Sequence, residues 1–308
     1  MFPIEYIFFL IAIGIFAGIL SGLLGVGGGI LMVPLQFFAL TYIGVDPDLA
    51  LRIAIGTSLA IIIPTGLFSA YNHHKKLNTI LKPGLILGIF GLLGGIIGGI
   101  VSSYIPSDIL ELILGIFLCI IAIYMLFNQK INEKEYKLGT NGEKEEIEKE
   151  KIKKEEVKKE EEKLSEINKK NPSLNFGIVF GLIIGFASGI LGVGGGIFLI
   201  PVLIFILKYS MKEAIGISSV FIALTSVGGT ISYIATGWGL NSFPYSLGYI
   251  SLINLIGIAI FSIPLAYLGA KIVYKVPEKF LQCLFAIIML YMGIKMLGLD
   301  PLSYLLGI

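Results

Sequence analysis

The sequence predicts an all-α integral membrane protein made of two inverted structural repeats, each a glycine-broken hairpin followed by three transmembrane helices. Three observations support this prediction: the composition, five apolar segments that occur twice, and loop charges whose pattern reverses between the halves. Of 308 residues, 56% are hydrophobic and only 14% are charged, which is more apolar surface than a soluble domain can bury. The composition therefore indicates a multi-pass protein of the cell membrane in contact with the lipid bilayer. It excludes soluble enzymes and, with a net charge of +2, nucleic-acid binding.

The apolar segments define a first membrane repeat at 1–127 and a second at 174–308. The five segments of the first repeat are 4–24, 29–43, 53–70, 83–103 and 108–127. Those of the second repeat are 174–191, 196–207, 213–236, 244–271 and 278–297. A spanning helix needs about 20 residues, so the second segment of each repeat is short for crossing the bilayer.

A charged connector, 128–173, joins the repeats and holds 13 Lys and 13 Asp or Glu residues. Opposite charges four residues apart, such as Glu145 with Lys149, favour a solvated helix. We interpret it as a cytoplasmic linker without chemistry; the alternative is a regulatory or partner-binding helix.

The two repeats are related in sequence. The run SGLLGVGGGI that begins at Ser21 matches SGILGVGGGI that begins at Ser188, and a proline follows each run at the same distance. The run AIGTS at 54–58 matches AIGIS at 214–218 with an offset of 160 residues, which also pairs Thr65 with Thr225. An internal duplication follows.

Loop charges predict that the copies face opposite ways, because Lys and Arg in short loops stay on the cytoplasmic side. In the first repeat the middle loop carries Lys75, Lys76 and Lys82, whereas acidic residues dominate the flanking loops 44–52 and 103–108, with Arg52 as the exception. In the second repeat the flanking loops carry the lysines and the middle loop has no charge. Inverted repeats of this kind are typical of secondary transporters.

Two arrangements of the glycine hairpins fit this topology. If both segments span fully, the two glycine motifs lie at opposite membrane faces. If they are re-entrant half-helices, both tips approach the midplane and a two-fold axis relates Gly27 to Gly194. We favour the second arrangement, because it creates one shared site.

The motifs GVGGG at 25–29 and 192–196 break the helices, since each glycine costs about 1 kcal/mol in a helix relative to Ala. Backbone groups freed inside a membrane must be buried in protein or line a cavity. The helices that follow present N-termini, whose free N–H groups and positive dipole end favour an anion. The small residues that recur every four positions are instead assigned to helix packing: Gly14, Gly18, Gly22, Gly181, Gly185 and Gly189.

Hydroxyl side chains at membrane depth are the other candidate donors, and those repeated in both halves are favoured over the alternative that each bonds its own helix. The predicted substrate-binding residues are Ser21, Gly25, Gly27, Gly28, Gly29, Ser58, Thr65, Ser188, Gly192, Gly194, Gly195, Gly196, Ser218 and Thr225. Gln36 and Asn254 have no polar counterpart, so they either supply asymmetry or bridge helices. No catalytic residue, metal site or cofactor is predicted. Coupling to protons or another ion stays open, with Glu111 as a candidate proton carrier.

The paired motifs, each with a proline five residues after its last glycine, resemble the sulfite exporter TauE/SafE family over both repeats. The resemblance implies an anion permease for sulfite, sulfonates or other small sulfur-containing anions. A channel with a glycine-lined filter is the alternative, and the absence of a nucleophile and base pair at membrane depth disfavours an enzyme. Substrate, direction of transport and oligomeric state are not indicated by the sequence.

Overall fold

The computed structural model describes residues 3–24, 29–74, 81–139, 174–209, 211–239, 243–272 and 278–299, most of which are helical. Among them, four helices are long and apolar enough to cross a membrane: Pro47–Tyr71, Leu81–Tyr104, Leu174–Leu191 and Glu213–Thr236. The chain is thus an α-helical membrane protein.

Each of the ten predicted segments coincides with a helix in the described part of the chain. The first half contains α1 (Ile4–Leu24), α2 (Gly29–Tyr42), α3 (Pro47–His74), α4 (Leu81–Tyr104) and α5 (Ser107–Gly139). The second half contains α6 (Leu174–Leu191), α7 (Gly196–Phe205), α8 (Met211–Thr236), β1 (Ser246–Leu247), β2 (Ile250–Ser251), α9 (Leu252–Ile272) and α10 (Glu278–Met296). At 14 and 10 residues, α2 and α7 are too short for a hydrocarbon core of about 30 Å.

Two boundaries differ from the prediction. The apolar segment 244–271 begins as a small antiparallel hairpin, with Leu247 opposite Ile250 and Gly248 at a φ of 60° in the two-residue turn. Apolar composition does not distinguish this hairpin from a helix, although Pro244 and Gly248 are turn residues. Helix α5 continues beyond the predicted boundary at 127 to Gly139, and the rest of the connector lies outside the described residues.

The loop charges predict that Arg52 lies in an outer loop, and this prediction is wrong: Arg52 lies in α3 and is 8% exposed. The helix begins at Pro47 because the Asp46 carboxylate accepts a hydrogen bond from the Asp48 N–H at 3.0 Å and proline suits the first helical position. The side chain therefore enters the protein one turn after the helix start.

Glycines allow the helices of the two halves to approach closely. A Cβ added at Gly14 would lie 2.8 Å from the Ile258 carbonyl oxygen, so α1 packs backbone to backbone on α9. At the position 167 residues later, a Cβ on Gly181 would lie 2.7 Å from the Leu87 carbonyl oxygen, and α6 packs on α4 in the same way. These contacts agree with the packing role predicted for the four-residue repeats of glycine.

Helices α3 and α8 cross antiparallel in the middle of the protein. Gly56 faces Tyr233 near one end, Gly66 faces Ala223 near the centre, and the Ser69 and Ser219 hydroxyls are 2.8 Å apart toward the other end. Most residues of both helices are buried over this length, although Leu67, Phe68 and Ile231 are exposed. Their central crossing supports the glycine motifs described below.

One end of the bundle is held together by Arg52. Its guanidinium donates hydrogen bonds to the carbonyl oxygens of Ser102, Ser103 and Ile105 at the end of α4, at 3.2, 2.5 and 3.1 Å. The Tyr233 hydroxyl of α8 donates to Ser102 Oγ at 2.7 Å. Four largely exposed aromatic side chains mark this end, as expected at a membrane interface: Tyr42, Tyr104, Trp238 and Tyr245.

A buried polar chain of side-chain hydrogen bonds connects α1, α2 and α3 of the first half with α9 of the second half. The Tyr6 hydroxyl donates to Asn254 Oδ1 at 2.6 Å, Asn254 Nδ2 donates to Gln36 Oε1 at 3.3 Å, and Gln36 Nε2 donates to Ser58 Oγ at 2.9 Å. All four side chains are completely buried. Gln36 and Asn254 therefore bridge helices, one of the two roles that the sequence left open.

Replacing Asn254 with Leu should destabilise the protein, because it removes the hydrogen bond between the Tyr6 hydroxyl and Asn254 Oδ1 and the one that Asn254 Nδ2 donates to Gln36. Each buried polar group without a partner costs about 1–3 kcal/mol. Thermal unfolding in detergent should show a clearly lower midpoint for Asn254→Leu. The control is Ser262→Ala on the same helix, whose buried hydroxyl has no recorded partner among the described residues. An unchanged midpoint for Asn254→Leu would show that these buried side-chain hydrogen bonds do not stabilise the fold.

Candidate functional site

The second glycine motif is a sharp reversal between α6 and α7. Gly192, Gly194 and Gly195 have φ values of 71°, 77° and 80°, a region that side chains rarely adopt. The Gly192 N–H still donates to the Ser188 carbonyl at 2.9 Å, which closes the last turn of α6. Helix α7 then begins at Gly196. The glycines thus allow one helix to end and another to begin inside the protein.

The two motifs meet. Gly25, Gly27 and Gly28 of the first motif lie outside the described residues, but Gly29 is the first residue of α2. A Cβ added at Gly29 would lie 3.1 Å from the carbonyl oxygen of Val193 in the second motif. The Ile62 side chain of α3 contacts both Gly29 and Gly194. The N-termini of α2 and α7 consequently start from one region beside the crossing of α3 and α8.

The first turn of α7 offers hydrogen-bond donors. Gly195 is the N-cap residue, and no side chain caps the helix. The N–H groups of Gly196 and Ile197 have no acceptor within the helix, since the first four N–H groups of any α-helix lack one. Together with the positive end of the helix dipole, these groups favour a negative ligand.

Buried hydroxyls without a recorded partner surround this helix start in the described part of the chain. They belong to Ser188, Ser218, Thr225 and Ser226, and all four side chains are completely buried. The Ser188 Cβ would lie 3.2 Å from a Cβ on Gly195. On α8, Phe221 and Ile222 contact Gly195 and Gly194, and the other three hydroxyls lie within one turn of that pair. Buried polar atoms normally have partners, so the unpaired hydroxyls of Ser188 and Thr225, which flank the contact of Phe221 with Gly195, make this region the candidate ligand site.

The remaining predicted hydroxyls are used differently. Thr65 donates to the carbonyl oxygens of Ile61 and Ile62 at 3.2 and 3.0 Å, the local helix bond that was the alternative to a binding role. Ser58 accepts the hydrogen bond from Gln36 in the buried polar chain. The Ser21 side chain lies outside the described residues.

Ser58 and Ser218, which are equivalent in the repeat, are not close to each other. Ser218 is next to Ser219, which pairs with Ser69, and Ser69 lies three turns beyond Ser58 along α3, or about 16 Å. The two hydroxyls are therefore at different depths. In the pairs Ser58 with Ser218 and Thr65 with Thr225, all four side chains are buried. In each pair, the hydroxyl of the second half has no recorded partner among the described residues, whereas that of the first half is hydrogen-bonded.

Sequence reasoning missed Phe221, which is completely buried against Gly195. Its counterpart in the repeat is Ile61, so similarity between the halves carried no signal for it. It also missed the role of Arg52. The signal there was that Arg52 is the single arginine in a chain with 22 lysines, directly before an apolar run.

Comparison with known proteins identifies the family. The model for the sulfite exporter TauE/SafE family matches residues 10–296, which includes both halves. The chain belongs to the sulfite exporter TauE/SafE family. Its relatives are described as membrane transporters, and membrane transport is therefore the general activity of this family member. No solved structure matches it.

Two relatives align with nearly the whole of this TauE/SafE protein. A probable membrane transporter protein of Methanocaldococcus jannaschii is 34% identical over 292 residues, covering 94% of each chain. A probable membrane transporter protein of Haemophilus influenzae is 31% identical over 301 residues, covering 95% of this chain and 98% of the relative. One from Bacillus subtilis is 27% identical over 230 residues, covering 74% and 78%. Their descriptions name no substrate.

Proposed function

We propose that the protein is a secondary transporter that moves a small sulfur-containing oxyanion, such as sulfite or an organosulfonate, across the cell membrane by alternating access. The observation that carries this proposal is the cluster of unpaired, buried hydroxyls beside the uncapped N-terminus of α7. A channel would use the same glycine tips as a filter, and the experiment below distinguishes the two.

The donor set suits an oxyanion. N–H groups and hydroxyls donate hydrogen bonds to several oxygen atoms at once, and no carboxylate lies among these donors to repel an anion. A helix terminus contributes at most about 2 kcal/mol, whereas taking an ion out of water costs several kcal/mol. Both helix termini and several hydroxyls must therefore act together on one ion.

Inverted repeats are part of the proposal, and several contacts support them. Helix α1 packs on α9 as α6 packs on α4, and α3 crosses α8, its equivalent in the other half. The short helices α2 and α7 favour re-entrant hairpins over full spans. With the predicted loop charges, the end that carries Arg52 faces outward and the connector 128–173 is cytoplasmic.

Alternating access requires that one side of the site opens while the other is closed. The outward-facing end contains the Arg52 contacts and the buried polar chain from Tyr6 to Ser58. Toward the other end, the Ser69 and Ser219 hydroxyls are paired between α3 and α8. Among the described residues, fewer side-chain hydrogen bonds join the helices on this side, which supports opening toward the cytoplasm. The driving ion stays open, with Glu111 or the protonation of the substrate itself as the proton carrier.

Uptake of radiolabelled sulfite into proteoliposomes tests the function. We expect saturable uptake that unlabelled sulfoacetate or thiosulfate reduces, under an imposed pH or voltage gradient. Flux that does not saturate, with currents far above carrier rates, would favour the channel. No flux of any sulfur oxyanion would overturn the proposal.

Thr225 and Thr65 form a matched pair for this assay. Thr225→Val removes an unpaired hydroxyl, so we expect uptake to fall at least tenfold while the unfolding midpoint stays equal or rises, since an unpaired buried hydroxyl costs about 1–3 kcal/mol. Thr65→Val removes a hydroxyl bonded to its own helix and should leave uptake within about twofold of the unmodified protein. Equal effects of the two changes would mean that the unpaired state of Thr225 has no role in transport.

A further inference from the structure

The Phe221 side chain lies in a slot between two glycines. A Cβ added at Gly195 would lie 3.0 Å from Phe221 Cε1, and a Cβ added at Gly91 would lie 2.5 Å from Cε2. The two edges of the ring thus contact the glycine motif on one side and α4 on the other. Because any larger residue at either glycine would collide with the ring, the slot depends on both.

The same slot is lined by hydroxyls of the candidate site. Thr225 Oγ1 would also lie 2.5 Å from a Cβ on Gly91, which places this hydroxyl beside the ring edge. Ser188 adjoins Gly195 on the opposite side of the ring. Both hydroxyls are completely buried and have no recorded partner among the described residues. An aromatic ring edge offers these donors no acceptor, so its presence leaves them unpaired.

The ring also lies in only one half of the protein. The equivalent residue in the first repeat is Ile61, which is buried as well but has a smaller and non-planar side chain. A single aromatic ring at one of two equivalent positions gives the site an asymmetry that the repeated glycines and hydroxyls do not supply.

We propose that Phe221 gates the anion site and limits the size of its substrate. In the present conformation the ring fills the space between Ser188, Thr225 and Gly195. When the anion binds, the ring turns aside and the hydroxyls donate to the anion; the displaced ring then occupies the volume that a substituent on sulfur would need. The inference rests on the proposed function and specifies it: the preferred substrate is a small inorganic oxyanion, and organosulfonates are disfavoured.

Competition between substrates tests this inference. For the unmodified protein, we expect sulfoacetate to inhibit sulfite uptake at least tenfold less effectively than unlabelled sulfite does. The ratio of the inhibition constants of sulfoacetate and sulfite should fall about tenfold in Phe221→Ala and in the more conservative Phe221→Leu. About tenfold is the scale on which a fitted pocket discriminates one extra methylene group. Phe37→Leu, which shortens another buried aromatic residue on α2, should lower stability without changing the ratio.

The outcomes separate this inference from the proposed function. If the unmodified protein carries no sulfur oxyanion, the proposed function fails and the inference fails with it. If sulfite uptake is saturable but both Phe221 variants keep the original ratio, the inference alone is overturned. If Phe37→Leu changes the ratio as much as Phe221→Leu, size selection does not reside at Phe221, and the inference is again wrong.

Discussion

Replacing Gly195 with Leu should abolish transport. Gly195 has a φ of 80°, and its Cβ would lie 3.0 to 3.2 Å from Phe221, Ile184 and Ser188. A leucine there meets backbone strain and fills the space in which we place the anion. Sulfite uptake in proteoliposomes should fall below the detection limit, and the double variant Gly28→Leu with Gly195→Leu should behave in the same way.

Gly44 provides the control for backbone strain alone. Its φ is 84°, and nothing lies within 4 Å of the Cβ that a substitution would add. Gly44→Leu should therefore lose stability through strain of about 1–3 kcal/mol and keep its transport. Size-exclusion chromatography and thermal unfolding show whether both variants are folded. If folded Gly195→Leu transports as well as Gly44→Leu does, the anion does not pass the glycine motif.

Removing Arg52 should produce the largest loss of stability. Its guanidinium donates to three carbonyl oxygens at the end of α4, and its Cζ lies 5.9 Å from the centroid of the Tyr249 ring. Arg52→Met leaves the partly buried carbonyl oxygens of Ser103 and Ile105 without this donor, whereas the Ser102 carbonyl keeps the hydrogen bond from the Ile105 N–H at 3.3 Å. Each polar group that loses its partner costs about 1–3 kcal/mol. Since 1 kcal/mol corresponds to about 2–4 °C in proteins of 150–250 residues, we expect the unfolding midpoint to fall by about 5 °C or more.

A substitution at Asp48 distinguishes the contribution of the Arg52 ion pair from that of the Arg52 hydrogen bonds. Its carboxylate lies 3.5 Å from the guanidinium, and its side chain is 53% exposed. Exposed ion pairs contribute about 0–1 kcal/mol, so Asp48→Asn should change the midpoint little. The unfolding midpoint of Arg52→Lys should lie between those of Arg52→Met and Asp48→Asn, because a single ammonium group lacks the planar guanidinium that reaches three carbonyls. A midpoint for Arg52→Met equal to that of Asp48→Asn would show that the carbonyl contacts do not stabilise the fold.

The helices were predictable from the sequence because membrane helices must satisfy their own backbone groups and therefore appear as long apolar runs. The break at the second glycine motif was predictable as well, since consecutive glycines destabilise a helix. The hairpin at 246–251 was not, because its residues are as apolar as a helix and its contacts with the end of α8 come from the tertiary fold. Arg52 was misplaced for a similar reason: its partners are carbonyls about 50 residues away in sequence.

For the candidate site, the sequence predicted which residue types are present but not which of their hydroxyls are hydrogen-bonded. Repetition between the halves identified Thr65 and Thr225 together, yet one hydroxyl bonds its own helix and the other has no recorded partner. Helix-internal bonding depends on side-chain rotamers and on neighbouring helices, which the spacing of residues does not reveal. Phe221 was missed because an apolar residue in an apolar helix carries no chemical signal.

The proposed transport requires that an anion binds to the unpaired hydroxyls at the start of α7. The most direct test is equilibrium binding of radiolabelled sulfite to the purified protein in detergent, compared with the double variant Ser188→Ala with Thr225→Val. We predict saturable binding to the unmodified protein and its loss in the variant, with the variant folded and at least as stable. Sulfite binding of equal affinity in both proteins would show that the Ser188 and Thr225 hydroxyls do not bind the anion.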